Sequence, residues 1–130
     1  MANRWNSKGL AVIYTASSRA LACLENLAHF VGEVPGIPYQ TMLIDVPDTL
    51  TVASVDPRLF PAGQPVPEDV AQCRELGNGW LRRGESAVLR VPSVLVPNES
   101  NYLLNPAHPD FARIQLVGTE DFRFDSRLKE

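Results

Sequence analysis

Short apolar runs alternate with polar breaks along the chain, and the first of these runs has a clear form. LAVIYTA at 10–16 is continuous, apolar and rich in β-branched residues, which predicts a buried strand. Ser17 or Ser18 then supplies the side-chain oxygen that caps a helix, predicted over about 18–31 and ending near Gly32. After a short polar segment, the chain is therefore expected to begin with a strand followed directly by a helix.

Later apolar runs predict mainly strands. A second helix is predicted from Pro67 to about Gly84, interrupted at Gly77 and Gly79, and the proline-rich segment 56–69 before it reads as a long loop. The remaining runs predict strands at 41–46, 50–55, 86–96 (broken at Pro92), 101–105, 112–118 and 121–125. Many strands with two inserted helices indicate an α+β fold with a mixed, split β-sheet rather than a doubly wound parallel sheet.

The first predicted helix has one apolar side. On a helical wheel Arg19, Asn26 and His29 fall on the polar side. Glu25 lies at the border beside Leu21, where a carboxylate is partly removed from water. A solvated surface glutamate is the alternative interpretation. The apolar side comprises Ala20, Leu21, Cys23, Leu24, Leu27, Ala28, Phe30 and Val31.

Composition narrows the class of protein. The 130 residues are 45% hydrophobic, which suits one domain able to bury a core without disulfides or metals. Twelve basic and 15 acidic residues give a net charge of -3, and no basic block occurs. Because phosphate contacts need clustered lysine and arginine, a nucleic-acid partner is not expected. The N-terminus is polar and no apolar run spans a membrane, so a cytoplasmic protein is expected.

The residues that could bind metal or react as nucleophiles do not form a familiar motif. Cys23 and Cys73 have no CxxC spacing and are expected to be packed thiols. His29 and His108 have no metal-ligand spacing with each other or with cysteine, so no metal site is predicted. The chain also lacks a glycine-rich phosphate loop and a G-x-S-x-G elbow, which argues against an ordinary serine hydrolase.

Several polar residues stand out from apolar surroundings. Ser93 lies between apolar residues and prolines, where it either bonds a nearby backbone group or belongs to a site. Asn101 and Asn105 could simply support the turn at Asn105-Pro106. Together with Arg4 and an aromatic ring, a carboxylate is compatible with a nucleotide whose sugar bond is cleaved, because arginine forks onto phosphate and a carboxylate supports a sugar cation.

Two patterns taken together resemble the RES domain family, named for an Arg, a Glu and a Ser. The matching stretches are RWNSKGLAVIYTASSRALACLENLAH at 4–29, VPSVLVPNESNYLLNPAHPDF at 91–111 and FRFDSRL at 122–128. The resemblance covers nearly the whole chain and implies a single RES domain over residues 1–130. It also implies an ADP-ribosyltransferase-like fold with a mixed, split sheet around a cleft.

The resemblance assigns roles to individual residues. It implies Arg4, Glu25 and Ser93 as catalytic residues, with Arg4, Tyr14, Ser93 and Asn105 binding the substrate NAD. The implied activity is that of a bacterial toxin that breaks the nicotinamide–ribose bond by hydrolysis, phosphorolysis or ADP-ribosyl transfer. The implied partner is an Xre-type antitoxin that covers the active site, in a homodimer or a toxin–antitoxin hetero-oligomer.

One departure from the family pattern keeps other functions open. Family members usually begin with a further strand that carries another arginine, about twenty residues before the RWN motif, whereas Arg4 comes almost at the start here. A truncated RES fold would bind an antitoxin without turning NAD over. A small enzyme acting on another nucleotide is the third hypothesis.

Overall fold

A computed structural model describes residues 4–56 and 70–129 of the chain. The predicted loop at 56–69 lies outside the described residues except for Asp56. Two short 3-10 helices follow the fifth strand and the sixth, at Pro109–Arg113 and Ser126–Leu128. The main elements, in chain order, are β1 (Ile13–Ala16), α1 (Arg19–Leu27), β2 (Tyr39–Asp45), β3 (Val52–Ser54), α2 (Val70–Arg83), β4 (Val88–Pro92), β5 (Ser100–Leu104) and β6 (Gln115–Phe122).

Four strands form a mixed central sheet in the order β1-β5-β4-β3. Strand β4 pairs antiparallel with β5 and parallel with β3, and β1 pairs antiparallel with β5. Val88, Leu89 and Val91 of β4 are all buried, as expected for an inner strand covered on both faces. The predicted α+β class with a mixed sheet is confirmed.

Strands β2 and β6 form a separate antiparallel sheet. The sequence predicted two late strands, at 112–118 and 121–125, but one strand, Gln115–Phe122, runs through the polar residues between them. Thr119, Glu120 and Asp121 continue the pairing, opposite residues 40–42 of β2. Polar residues are compatible with a strand here because they are exposed in a two-stranded sheet.

The predicted buried strand at 10–16 is shorter and less buried than expected. Strand β1 starts at Ile13, because Leu10 still forms a turn in which its N–H donates to the Ser7 carbonyl. Ile13 and Tyr14 are 39% and 37% exposed, since β1 is an outer strand of its sheet. The predicted strand at 50–55 is likewise confirmed only at Val52–Ser54.

Helix α1 begins as predicted and ends early. Ser18 is the N-cap, with its Oγ accepting from the Leu21 N–H at 3.1 Å. The helix ends at Leu27 rather than near residue 31, and Lys129 Nζ donates to the Leu27 and Phe30 carbonyls beyond that end. Only Leu21 and Leu27 are buried within the helix, so its apolar side is narrower than the wheel predicted.

Helix α2 is continuous, which corrects the predicted interruption at Gly77 and Gly79. Gly77 packs against the backbone of Trp5, and an added Cβ there would lie 1.7 Å from the Trp5 carbonyl oxygen. The glycine therefore permits a close approach between two segments and does not break the helix.

The main core lies between helix α2 and the inner strands. Trp80 is buried there, and its indole N–H donates to Ser86 Oγ at 2.9 Å. Buried Val88 and Leu104 belong to a second cluster, against which Ile44 of β2 packs. The main cluster consists of Trp5, Cys73, Trp80, Leu89, Val91 and Leu103.

None of the helices in residues 4–56 and 70–129 has the length and apolar character that crossing a bilayer requires.

We expect Leu103→Ala to reduce the free energy of unfolding by about 2–5 kcal/mol, because Leu103 is completely buried and its truncation leaves a cavity. Leu116→Ala is the matched control, since Leu116 is 55% exposed on β6. Urea denaturation measures both variants. Equal losses in the two would contradict this assignment of the core.

Candidate functional site

A cleft of about 420 Å³ opens between helix α1, strand β1 and the adjacent ends of β4 and β5. Helix α1 contributes Glu25 and Asn26, and His29 follows its end. Strand β1 and the segment before it contribute Arg4 and Tyr14. The other residues of the wall are Trp5, Thr15, Ala16, Ala22, Ala28, Val91, Pro92, Val94, Leu95 and Asn101.

The half-buried carboxylate of Glu25 is held by two donors on one of its oxygens. Oε1 accepts from Ser93 Oγ at 2.7 Å and from Asn101 Nδ2 at 2.9 Å. Hydrogen bonds to a charged acceptor are stronger than neutral ones, so the carboxylate has a fixed orientation. Within the described part of the chain, the second oxygen, Oε2, has no hydrogen-bond partner.

Ser93 lies behind this carboxylate and is completely buried. Its Oγ donates to Glu25 and accepts from the backbone N–H groups of Leu95 and Val96, at 3.2 and 3.1 Å. A hydroxyl has one proton to donate and two lone pairs to accept with, so all three capacities are used. Ser93 thus orients Glu25 and bonds nearby backbone at once, and it is not part of the cleft wall.

Asn101 is the site residue that the sequence analysis missed. Its Nδ2 donates to Glu25, while its Oδ1 is buried without a hydrogen-bond partner in the described structure. A buried acceptor left unpaired is uncommon, and this one belongs to a residue that lines the cleft. The available sequence signal was the polar side chain of Asn101 at the start of the apolar run NYLL. A role in supporting the turn at Asn105-Pro106 explained it equally well.

Tyr14 and Arg4 also line the cleft. The Tyr14 hydroxyl donates to Asn6 Oδ1 at 2.6 Å and accepts from the Trp5 N–H at 3.1 Å. Burial raises the pKa of the Tyr14 phenol, an effect partly offset by the Trp5 N–H and the positive charge of Arg74. Arg4 directly precedes Trp5, which is buried, so the backbone of Arg4 is held next to a packed residue.

Asn105 is not brought into the cleft. It follows β5 at the end remote from Glu25, where its N–H donates to the Ala87 carbonyl and its Oδ1 accepts from the Ala107 N–H at 3.0 Å. The side chain therefore supports the turn at 105–108, which was the alternative interpretation of this residue.

The cleft combines charges of opposite sign with apolar walls, and these groups suit a particular kind of ligand. A guanidinium recognises phosphate, an aromatic ring packs on a flat base, and a fixed carboxylate accepts hydrogen bonds from sugar hydroxyls. Among residues 4–56 and 70–129, no three His, Cys, Asp or Glu side chains form a group that could hold a metal ion. These features are compatible with a binding or catalytic cleft for a nucleotide.

Comparison with known families agrees with this class of site. The family model of the RES domain matches residues 1–125, which is nearly the whole chain. The protein therefore belongs to the RES domain family, as the paired sequence patterns predicted.

Curated bacterial relatives resemble the chain over most of its length. A Prs ADP-ribosylating toxin of Sphingobium sp. (strain YBL2) is 38% identical over 129 residues, covering 96% of this chain and 79% of that protein. A protein named Toxin Res from Yersinia enterocolitica is 38% identical over 127 residues, with 97% and 83% covered. Toxin Res of Pseudomonas putida KT2440 is 38% identical over 130 residues, with 98% and 86% covered.

The raised pKa of Tyr14 predicts how stability responds to alkali. Below the ordinary tyrosine pKa of 10.0 both the folded and the unfolded chain keep the phenol protonated, so its contribution to stability is complete. As the pH rises, the unfolded chain loses this proton first, which favours unfolding. The contribution to stability is lost by the time the pH passes the raised pKa of Tyr14 in the folded protein. We expect Tyr14→Phe to lose less stability than the wild type between about pH 8 and pH 11.

Chemical denaturation at each pH measures this difference, and comparing each protein with itself at neutral pH removes the constant effect of losing the hydroxyl. Parallel alkaline losses in the two proteins would show that Tyr14 does not titrate with a raised pKa.

Proposed function

We propose that this RES domain is a toxin enzyme that consumes NAD by breaking the bond between nicotinamide and ribose. The observation that carries the proposal is the Glu25 carboxylate, which is fixed through Oε1 while Oε2 has no partner in the described structure. Arg4 and Tyr14 line the same cleft. Two of the curated relatives are named Toxin Res, which supports assignment as a toxin.

Different residues of the cleft would bind different parts of NAD. Arg4 would bind the pyrophosphate, since its planar guanidinium donates parallel hydrogen bonds to phosphate oxygens. The Tyr14 ring, 37% exposed, would pack against the nicotinamide–ribose end. Asn101 Nδ2 would keep Glu25 Oε1 in place while the ligand binds, since it already donates to that oxygen.

Glu25 would act on the reacting sugar. Its Oε2 would accept a hydrogen bond from a ribose hydroxyl, and its negative charge would stabilise the positive charge that develops on the ribose. The electron pair of the broken bond leaves with the nicotinamide nitrogen, which becomes neutral. An acceptor then donates an electron pair to the anomeric carbon and loses its proton to solvent.

The acceptor that we favour is a protein side chain, because the Sphingobium relative is named a Prs ADP-ribosylating toxin. Water and inorganic phosphate are the alternatives, and they would make the same cleavage a hydrolysis or a phosphorolysis. Incubation with NAD labelled in its ADP-ribose part distinguishes the three acceptors. Transfer to a protein yields a labelled protein, hydrolysis yields free ADP-ribose, and phosphorolysis yields a phosphorylated ADP-ribose.

The partner and the finer fold class belong to the same proposal. We propose that residues 1–130 form one RES domain with an ADP-ribosyltransferase-like fold, supported by the family match and by the division of the strands into a mixed four-stranded sheet and a separate two-stranded sheet. The proposed partner is an Xre-type antitoxin that covers the cleft, in a hetero-oligomer or beside a second toxin copy. Val94 and Leu95, 42% and 43% exposed in the cleft wall, would be covered on binding.

Glu25→Gln is the sharpest test of the reaction. The amide carbonyl can still accept from Ser93 and Asn101, whereas the amide nitrogen replaces the unpaired oxygen with a donor and removes the charge. We expect NAD consumption to fall about 100-fold or more and growth arrest on expression to disappear. Glu75→Gln, at an exposed position of α2, is the matched control and should keep both.

Cellular NAD and growth are measured at equal protein levels. Unchanged NAD together with no labelled protein, on expression of folded wild-type protein, would contradict the proposed enzyme and favour a binding module for an antitoxin. Loss of a nucleotide without nicotinamide would show that NAD is not the substrate. Full toxicity of Glu25→Gln would show that Glu25 takes no part in the reaction.

Ser93→Ala tests whether the serine acts through Glu25. Because Ser93 is buried behind the carboxylate, we expect kcat to fall about 10- to 100-fold, the effect of losing a hydrogen bond to a charged group, with little change in the KM for NAD. Ser54→Ala, exposed in β3, is the control. A rise in KM without a fall in kcat would instead indicate that Ser93 binds the substrate directly.

A further inference from the structure

The middle of helix α2 contains Gly77, Asn78 and Gly79, an unfavourable sequence for a helix interior. Gly77 and Asn78 are nevertheless buried, and the helix continues through them to Arg83. Residues that weaken a helix and face the interior need a reason in the packing around them.

Gly77 is required by a contact with the segment before β1. An added Cβ would lie 1.7 Å from the Trp5 carbonyl oxygen and 2.8 Å from its carbonyl carbon. A buried backbone group cannot move aside as the end of a flexible side chain can. At Gly79 the nearest atom to an added Cβ is Arg83 Nη1 at 3.0 Å, which is such a flexible end.

Asn78 binds the next residues of the same segment. Its Oδ1 accepts from the Ser7 N–H at 3.0 Å, and its Nδ2 donates to Ser7 Oγ at 2.8 Å. Asn78 is only 7% exposed, so these bonds are shielded from water. The helix thus holds the segment through the Trp5 backbone and through the N–H and the hydroxyl of Ser7.

The segment held in this way, residues 5–7, lies beside the cleft, whose lining includes Trp5. Arg4 directly precedes it, and the Trp5 N–H and Asn6 Oδ1 both bind the Tyr14 hydroxyl. We propose that Gly77 and Asn78 are positioning residues, which act through residues 5–7 to place Arg4 and Tyr14 against the phosphate-bearing ligand of the cleft. That the ligand is NAD rests on the function proposed above.

The test compares two glycines of one helix and adds a polar variant. Gly77→Ala should displace the segment, whereas Gly79→Ala should not, although both changes favour the helix equally. Asn78→Leu removes both bonds to Ser7 without adding a Cβ and serves where Gly77→Ala fails to fold. The readouts are amide hydrogen exchange at Trp5 and Ser7, kcat and KM for NAD, and the thermal midpoint.

We expect Gly77→Ala and Asn78→Leu to accelerate exchange at Trp5 and Ser7 about tenfold, the effect of losing one to two hydrogen bonds, and to raise the KM for NAD by a similar factor. Exchange in the inner strands β4 and β5 should be unchanged, and kcat should fall less than KM rises. Gly79→Ala should show wild-type exchange and kinetics.

Unchanged exchange at Ser7 in Asn78→Leu would overturn the proposal, as would faster exchange with an unchanged KM. A uniform rise in exchange together with a lower thermal midpoint would overturn it too, because the residues would then be structural only. If the wild type does not consume NAD, the proposed function fails, while exchange at Trp5 and Ser7 still decides whether helix α2 holds the segment.

Discussion

Hydrogen bonds from Ser93 and Asn101 to one oxygen of Glu25 join helix α1 to the central sheet. Asn101 lies on β5, and Ser93 directly follows β4, so the two donors come from neighbouring strands. Apolar packing holds the helix only weakly, since it buries just Leu21 and Leu27. Because bonds to a charged acceptor are strong, the same contacts help to dock the helix and orient the carboxylate. Arg19 of the same helix also forms an ion pair with Glu120 of β6.

The part of the cleft that contains Arg4 and Tyr14 is held in a different way. Trp5 is buried in the main core, and its carbonyl fills the space where Gly77 has no side chain. Next to this anchor, the Trp5 backbone N–H donates to the Tyr14 hydroxyl, which in turn donates to the Asn6 side-chain Oδ1. The position of Glu25 therefore depends on polar bonds to its carboxylate, whereas that of Tyr14 depends on close packing of Trp5 against helix α2, so each can be disturbed separately by substitution.

Local signals predicted the elements well where the local sequence decides them. Ser18 starts helix α1 as expected, and the apolar run at β4 is an inner strand. The predictions were wrong where a distant partner decides, because a glycine reads the same whether it breaks a helix or admits another backbone, as Gly77 does for Trp5. Asn101 and Asn105 also look alike in sequence, and only the position of Glu25 brings the first into the cleft and leaves the second at a turn.

The family resemblance pointed to Arg4, Glu25 and Ser93 together, but the geometry divides them by what each can touch. The Ser93 hydroxyl already uses its proton and both lone pairs within the protein, so it has no capacity left for a ligand. Glu25 keeps one oxygen for the cleft only because the other satisfies two donors. In the proposed reaction the serine therefore contributes through the carboxylate, and that carboxylate meets the ribose already oriented, with no reorganisation needed as charge develops.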